Sequence, residues 1–188
     1  DRSCLFLVFF LFPFPFLSRQ SVHVEQEVSR SPVHVFHVGG VNDVLAKLVG
    51  LENVEGVVPD ENGNCMVRKG TLKTAVPAEE YADVVAEALD TLVRLTLPEK
   101  MIRTVAVCGG SGASFLPDLA KEGIDAFITG DAKHNDFLDS IDYDISLLAA
   151  GHYETETVSM PVLLELLKQE FPSLEYKYLK SAPVVYIG

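Results

Sequence analysis

Basic residues are scarce in this chain. Its 188 residues include 15 Lys and Arg against 27 Asp and Glu, which gives a formal net charge of −12. The first 50 residues are balanced, so the acidic excess lies in residues 51–188. A surface of this sign repels a phosphate backbone, which excludes nucleic-acid binding through a broad basic face. The same excess of carboxylates suits a divalent cation.

Cysteine is also scarce. The three cysteines, Cys4, Cys65 and Cys108, are widely separated, and no Cys-x-x-Cys pair occurs. This number and spacing exclude a disulfide framework and a zinc knuckle. We therefore expect a reducing compartment, the cytoplasm.

No apolar run is long enough to span a bilayer. The segment LFLVFFLFPFPFL at 5–17 is shorter than the roughly 20 residues of a spanning helix, and Pro13 and Pro15 interrupt it. It is an embedded strand, a signal-like segment without a basic start or an A-x-A-like site, or sequence foreign to the domain. A sharp change in composition favours the third interpretation. We therefore expect residues 1–37 to be a foreign or misassigned segment and residues 38–188 to be a partial α/β domain.

Helical and strand-like patterns alternate after this break. Apolar spacing predicts a first helix with Asn42 or Asp43 as its N-cap and Gly50 as its stop. A long helix over residues 78–97 follows Pro77. The other predicted elements are a loop or short hairpin at 51–76, strands at 102–108, 125–129 and 145–150, a short helix ending at Gly123, helices at 132–141 and 160–171, and closing strands at 174–179 and 183–187.

This order of elements predicts the fold class. Strands that alternate with helices favour an α/β domain with parallel strands at its centre. The two closing strands are predicted to be antiparallel additions. The fold is therefore expected to be a mixed sheet with helices on its faces.

His152 and Glu156 are the first candidate site. They follow an apolar strand in the segment AGHYETE, and ligands in α/β sheets bind beyond the carboxyl ends of the strands. If this segment is helical, the four-residue spacing places both side chains on one face. Imidazole and carboxylate together suit Zn, Mn, Fe or Ni. In the structural alternative, His152 is a capping or core histidine and Glu156 is a surface carboxylate.

A second candidate is the segment TGDAKHND, which follows the strand DAFIT and belongs on the same edge of the sheet. Its functional interpretation is a pocket wall that includes Asp131 and in which His134 transfers a proton or contacts substrate. Its structural interpretation makes Asp131 the N-cap of the next helix and leaves Lys133 in solvent. The two interpretations are compatible.

A third candidate is the glycine-rich turn CGGSGAS. Gly109, Gly110, Ser111 and Gly112 could line a pocket or offer backbone N–H groups to an anion. No Walker A or GxGxxG pattern is present, so a tight strand-to-helix turn is the favoured interpretation. Cys108 ends the preceding strand without an activating base nearby in sequence, and we expect it to be buried.

Three further histidines, His23, His34 and His37, alternate with valine or lie close to that alternation. They could be metal ligands, but an exposed or edge strand explains the alternation equally well.

Three ordered motifs carry a family resemblance. The stretches VAVCGGSGASFL, FITGDAKHNDFLD and LLAAGHYETE, together with GGVNDVLAKLVGLENVE, resemble the Nif-three-like family of GTP cyclohydrolase type 2 homologues over about residues 38–188. The resemblance implies an α/β subunit of a toroidal homohexamer with two divalent metal ions per subunit. It also implies that His152 and Glu156 are metal ligands.

The chain departs from the family pattern in its N-terminal part. The family's other ligands are an adjacent His-His pair and an Asp a few residues before the GGVND segment. This sequence has no His-His pair, and it has no Asp between residues 2 and 42. Two functional hypotheses follow. One is a metal-dependent hydrolase acting on a nucleotide or another phosphorylated small molecule. The other is a non-enzymatic ring subunit that binds metal or a partner and is inactive because ligands are missing.

Overall fold

The computed structural model describes residues 40–178, which divide into two compact units, 40–159 and 160–178. The predictions for residues 1–37, for His23, His34 and His37, and for the closing strand at 183–187 lie outside these residues.

The larger unit alternates strands and helices along the chain. Its elements are α1 Val41–Leu48, β1 Glu52–Pro59, β2 Cys65–Pro77, α2 Ala78–Leu89, β3 Arg94–Leu95, β4 Met101–Cys108, a 3₁₀ turn Ala113–Phe115, α3 Leu116–Lys121, β5 Ala126–Thr129, α4 His134–Asp142, β6 Ser146–Ala149 and α5 His152–Thr157.

The strands form one mixed sheet in the order β1-β2-β4-β5-β6-β3. The central strands β4, β5 and β6 are parallel, with Val105 beside Ala126 and Ala126 beside Ser146. Strands β1, β2 and β3 join by antiparallel pairing. The predicted mixed α/β sheet with a parallel centre is confirmed.

The central strands are buried on both faces. Along β4, Val105 and Val107 pack in one apolar cluster with residues of α1 and α2. Ala106 and Cys108 pack in a second cluster with residues of α3. Successive side chains of a strand point to opposite faces, so helices lie on both sides of the sheet. The carboxyl ends of β4, β5 and β6 therefore project from a rigid core.

Two elements differ from their predicted lengths. Helix α2 ends at Leu89 rather than residue 97, because Asp90 adopts a left-handed conformation with φ 52°. The chain then pairs with β6 as the short edge strand β3, so sheet pairing overrides the apolar spacing. The predicted loop or short hairpin at 51–76 is a hairpin of two long strands, β1 and β2.

The smaller unit contains helix α6, Met160–Glu170, as predicted. The predicted strand at 174–179 is absent over its described part, residues 174–178. The Tyr176 hydroxyl instead donates to the carbonyl groups of Leu167 (2.7 Å) and Phe171 (2.9 Å). Within residues 40–178, no helix combines the length and apolar character needed to cross a membrane.

Candidate metal site at the ends of the parallel strands

Three turns meet where the parallel strands end. They begin at Gly109 after β4, at Gly130 after β5 and near Gly151 after β6. The backbone N–H groups of Gly130 and Asp131 both donate to Gly110 O, at 2.8 and 2.9 Å. Gly151 N donates to Gly130 O at 3.1 Å. These hydrogen bonds hold the turns together and bring the side chains after β5 and β6 into contact.

The segment after β6 is helical, as the metal interpretation requires. Helix α5 begins at His152, and its geometry places His152 and Glu156 on one face. His152 Nε2 lies 3.3 Å from Glu156 Oε1, and His152 Nδ1 lies 2.6 Å from Asp131 Oδ2. The His152 side chain is 46% exposed and that of Glu156 is 32% exposed. Both are accessible to solvent, and His152 is not a core histidine.

The environment of Glu156 makes its carboxyl harder to ionise than that of an ordinary glutamate. Partial burial raises the pKa of its carboxyl, the nearby charge of Asp131 raises it further, and His152 opposes the shift. Burial removes water from the carboxylate, and a like charge repels it. A bound cation would counter both effects.

Three backbone N–H groups of the glycine turn donate hydrogen bonds within the chain. Gly109 N donates to Asn42 Oδ1 (2.8 Å), and Gly110 N donates to Thr155 Oγ1 (3.0 Å). Gly112 N donates to Thr129 Oγ1 at 2.9 Å. These bonds support the interpretation as a tight strand-to-helix turn. Anion binding by this turn stays a prediction.

Asp131 does not cap helix α4, contrary to the structural interpretation of the sequence. The helix begins at His134, after Lys133, and the Asp136 carboxylate accepts the Lys133 N–H at 2.6 Å. Asp131 lies too early in the turn to serve as the cap. Its carboxylate contacts His152 and accepts a hydrogen bond from Ser111 Oγ at 3.3 Å.

The first helix is also capped differently from the prediction. Gly40 is the N-cap of α1, and Asn42 lies buried in the first turn. Asn42 Nδ2 donates to Met66 O (2.7 Å) while its Oδ1 accepts from Gly109 N. Asp43 pairs with Arg68 at 2.9 Å. Both polar side chains therefore link α1 to the rest of the unit, and the predicted stop at Gly50 (φ 80°) agrees with the end of α1.

His134 and Arg94 lie on elements next to the site. His134 is exposed at the start of α4, and the structure records no hydrogen bond between it and His152. Arg94 was not a sequence candidate. Its guanidinium donates to Ala132 O (3.4 Å), beside Asp131, and lies 5.0 Å above the Phe137 ring. Arg94 pairs across the sheet with Ala149 of β6. This contact joins segments that are far apart in sequence, and no sequence motif predicts it.

Cys108 is buried, as predicted, with 1% of its surface exposed. Burial, aided by the charge of Glu156, raises the pKa of its thiol to about 11. A neutral thiol is a poor metal ligand and nucleophile at neutral pH. In the part of the chain that the structure describes, no group of three or more His, Cys, Asp or Glu side chains could hold a metal ion.

The fold and this edge define a class: a mixed α/β domain with a histidine–carboxylate pair beyond its parallel strands. The profile of the Duf34/NIF3 (NGG1p interacting factor 3) family matches residues 36–183, and the chain belongs to that family. This confirms the resemblance drawn from the motifs.

Sequence similarity to individual relatives supports this family assignment. The chain is 36% identical over 133 residues to a "GTP cyclohydrolase 1 type 2 homolog" of Nostoc sp., covering 69% of this chain and 51% of the relative. It is 32% identical over 146 residues to a protein of the same name from Pyrococcus abyssi, covering 77% and 58%. The chain thus spans about half the length of the curated relatives it matches.

Solved structures share the fold. A hypothetical protein of Staphylococcus aureus superposes with a TM-score of 0.73 at 22% identity, covering 82% of this chain and 66% of that one. A Bacillus cereus protein related to NIF3 gives a TM-score of 0.71 at 16% identity, covering 82% and 71%.

Proposed function

We propose that this chain binds a divalent cation through His152 Nε2 and Glu156 Oε1. The observation that carries the proposal is their separation of 3.3 Å. At this separation both atoms could contact one divalent cation such as Zn²⁺. Nitrogen and carboxylate oxygen also suit Mn, Fe and Ni.

A stable site needs more than these two ligands. Structural and catalytic zinc sites in proteins use three or four protein ligands. The family resemblance implies that a His-His pair and an Asp supply the others, together with a second ion. This sequence contains no His-His pair and no Asp between residues 2 and 42.

The proposed activity is metal-dependent hydrolysis of a nucleotide or another phosphorylated small molecule. Support comes from the relatives named GTP cyclohydrolase 1 type 2 homologs, which makes GTP the first substrate to test. A divalent cation supplies Lewis-acid polarisation of a phosphoryl or carbonyl oxygen. His152 and Glu156 hold the cation, Arg94 offers a fixed guanidinium to a substrate phosphate, and His134 exchanges a proton with solvent.

Assembly and location complete the proposal. The family resemblance implies a homohexameric ring, with the sites facing an internal cavity, for relatives that span the whole domain; for this chain we propose a homo-oligomer. The scarcity of cysteine favours the cytoplasm.

An alternative function is a non-enzymatic ring subunit that binds metal or a partner. The observation that favours it is the ligand count, because no third metal-binding side chain joins His152 and Glu156 among residues 40–178. The family description itself names an interacting factor of NGG1p, which concerns partner binding by that family member.

Turnover separates the two functions. The full chain, loaded with Zn²⁺ or Mn²⁺, is incubated with GTP, and nucleotide products are followed by chromatography. The hydrolase proposal predicts product that is lost in His152→Ala and retained in Glu154→Ala, which changes a carboxylate on the same helix. Metal binding without any product supports the non-enzymatic subunit. A parent chain that binds neither metal contradicts the hydrolase and leaves only the partner-binding form of the alternative.

A further inference from the structure

The imidazole of His152 meets a carboxylate at each nitrogen, and the two contacts differ. Nδ1 lies 2.6 Å from Asp131 Oδ2 and forms a hydrogen bond, whereas Nε2 lies 3.3 Å from Glu156 Oε1. An ionised carboxylate can only accept, so the short contact places a proton on Nδ1. A neutral imidazole with that proton presents a lone pair at Nε2, on the side of Glu156.

Asp131 is oriented for this contact by its own surroundings. Its backbone N–H donates to Gly110 O at 2.9 Å, and Ser111 Oγ donates to its Oδ2 at 3.3 Å. The cap of α4 does not need its carboxylate, because Asp136 accepts the Lys133 N–H. The recorded side-chain partners of Asp131 within the described chain are therefore His152 and Ser111.

We propose that Asp131 is a positioning residue that fixes the Nδ1–H tautomer and the ring orientation of His152, so that Nε2 stands beside Glu156 Oε1 as a ligand. The inference rests on the proposed cation site for its purpose. A carboxylate that accepts from the second nitrogen of a ligating histidine fixes the ring and increases its basicity. Asp131 thus acts through His152 and does not touch the cation.

The tautomer of His152 can be read without metal. Two-bond ¹H–¹⁵N NMR spectra of the full chain, labelled at histidine, are recorded about two units above the ordinary imidazole pKa of about 6.5. The parent should show the Nδ1–H form. Asp131→Ala should shift the signal to the Nε2–H form, because Glu156 becomes the nearest acceptor. Asp131→Asn should restore the Nδ1–H form, since its amide oxygen can accept. Asp139→Ala, which removes an exposed carboxylate from α4, is the control for lost charge and should leave the tautomer unchanged.

The Zn²⁺ affinity of the same variants is the second measurement that tests the role of Asp131. Asp131→Ala should bind Zn²⁺ about 10- to 100-fold more weakly than the parent, while Asp139→Ala binds like the parent. An unchanged tautomer in Asp131→Ala would overturn the positioning role, as would equal affinity losses in Asp131→Ala and Asp139→Ala. If the parent binds no Zn²⁺, the proposed function fails, and the tautomer in the metal-free chain still decides what Asp131 does to His152.

Discussion

At the scale of single residues, the glycine turn approaches helix α5 so closely that it sets the position of the ligand pair. A Cβ atom at Gly110 would lie 2.5 Å from Glu156 Oε1 and 3.5 Å from His152 Cε1. A Cβ atom at Gly130 would lie 2.7 Å from His152 Cα. Any side chain at these positions would displace α5 or its carboxylate. The turn and the ligand pair therefore form one packing unit.

Gly110→Ala tests this packing, with Gly63→Ala as the matched control. Both glycines have left-handed φ angles, +69° and +81°, but a Cβ at Gly63 would meet nothing within 4 Å. Gly63→Ala should lower the free energy of unfolding by about 1 kcal/mol through backbone strain alone. Gly110→Ala should lower it further and weaken Zn²⁺ binding, as measured by denaturant unfolding and calorimetry. If both variants lose the same free energy of unfolding, the Glu156 side chain moves away from the new methyl group without cost, and the packing role of Gly110 is contradicted.

The buried thiol of Cys108 predicts a pH dependence of stability. An ordinary thiol has a pKa of 9.0, and burial in the fold raises the pKa of Cys108 to about 11. The folded chain then holds this proton more tightly than the unfolded chain. Its contribution is therefore lost as pH rises from about 9 to about 11, by up to about 3 kcal/mol.

Cys108→Ala isolates that contribution from other alkaline titrations. The variant should lose less stability than the parent between pH values of about 9 and 11, as measured by urea unfolding at each pH. Cys65→Ala, at a half-buried cysteine, is the control and should follow the parent. If the free energy of unfolding falls equally with pH in Cys108→Ala and in the parent, the raised pKa of the Cys108 thiol is contradicted.

At the scale of elements, helix α1 is attached to the sheet and to the glycine turn by buried polar groups. Asn42, 3% exposed, connects Met66 of β2 with Gly109. The ion pair between Asp43 and Arg68 is also largely buried, with side chains 15% and 7% exposed. Helix α1, far from His152 in sequence, thus supports the glycine turn next to the site.

Asn42→Ala should weaken this attachment. It leaves the Met66 carbonyl and the Gly109 N–H without their partner, which costs about 1–3 kcal/mol of unfolding free energy. Asn62→Ala, in the exposed turn between β1 and β2, should change stability by less than about 0.5 kcal/mol. Thermal and urea unfolding compare the two variants, and similar small losses in both would contradict the attachment role of Asn42.

Local patterns predicted the elements that carry their own signal. Strands β4, β5 and β6 are buried apolar runs, and the four-residue spacing of His152 and Glu156 anticipates one helical face. The end of α2 carries no such signal, because Leu92 and Val93 continue the apolar pattern beyond Asp90. The pairing of β3 with β6 depends on a distant partner.

Local sequence patterns also could not predict the contact between Asp131 and His152. The two residues are 21 positions apart, and they meet because β5 and β6 lie side by side and end at the same edge. The strand pattern predicted that both segments lie at that edge, but the structural interpretation of the second segment made Asp131 the cap of the next helix. Only the start of α4 at His134 shows that Asp136 serves there instead.

At the scale of the whole molecule, charge governs association. Each copy carries a formal charge of −12, so bringing copies together requires apolar contact, counterions or bound cations to offset repulsion. Large apolar side chains are exposed on the larger unit, among them Leu92 at 73% and Met101 at 56%. The negative charge opposes association between copies, whereas the exposed apolar side chains favour it.

We expect the purified chain to form a mixture of small oligomers and aggregate, shifting toward larger species as salt rises. Salt shortens the range of like-charge repulsion to about 10 Å at 0.1 M and about 3 Å at 1 M, while apolar contact persists. Light scattering on a sizing column at low and high salt measures the distribution. A single sharp hexamer at both salt concentrations would contradict this expectation and support the ring assembly.

The most direct test of the account is Zn²⁺ affinity of the full chain in a double-mutant cycle at His152 and Glu156. If Nε2 and Oε1 hold one cation, His152→Ala and Glu156→Ala should each weaken binding at least about tenfold, and the double variant should be little weaker than either single variant. Unchanged affinity in both single variants, or losses that simply add, would show that the two side chains do not share a cation.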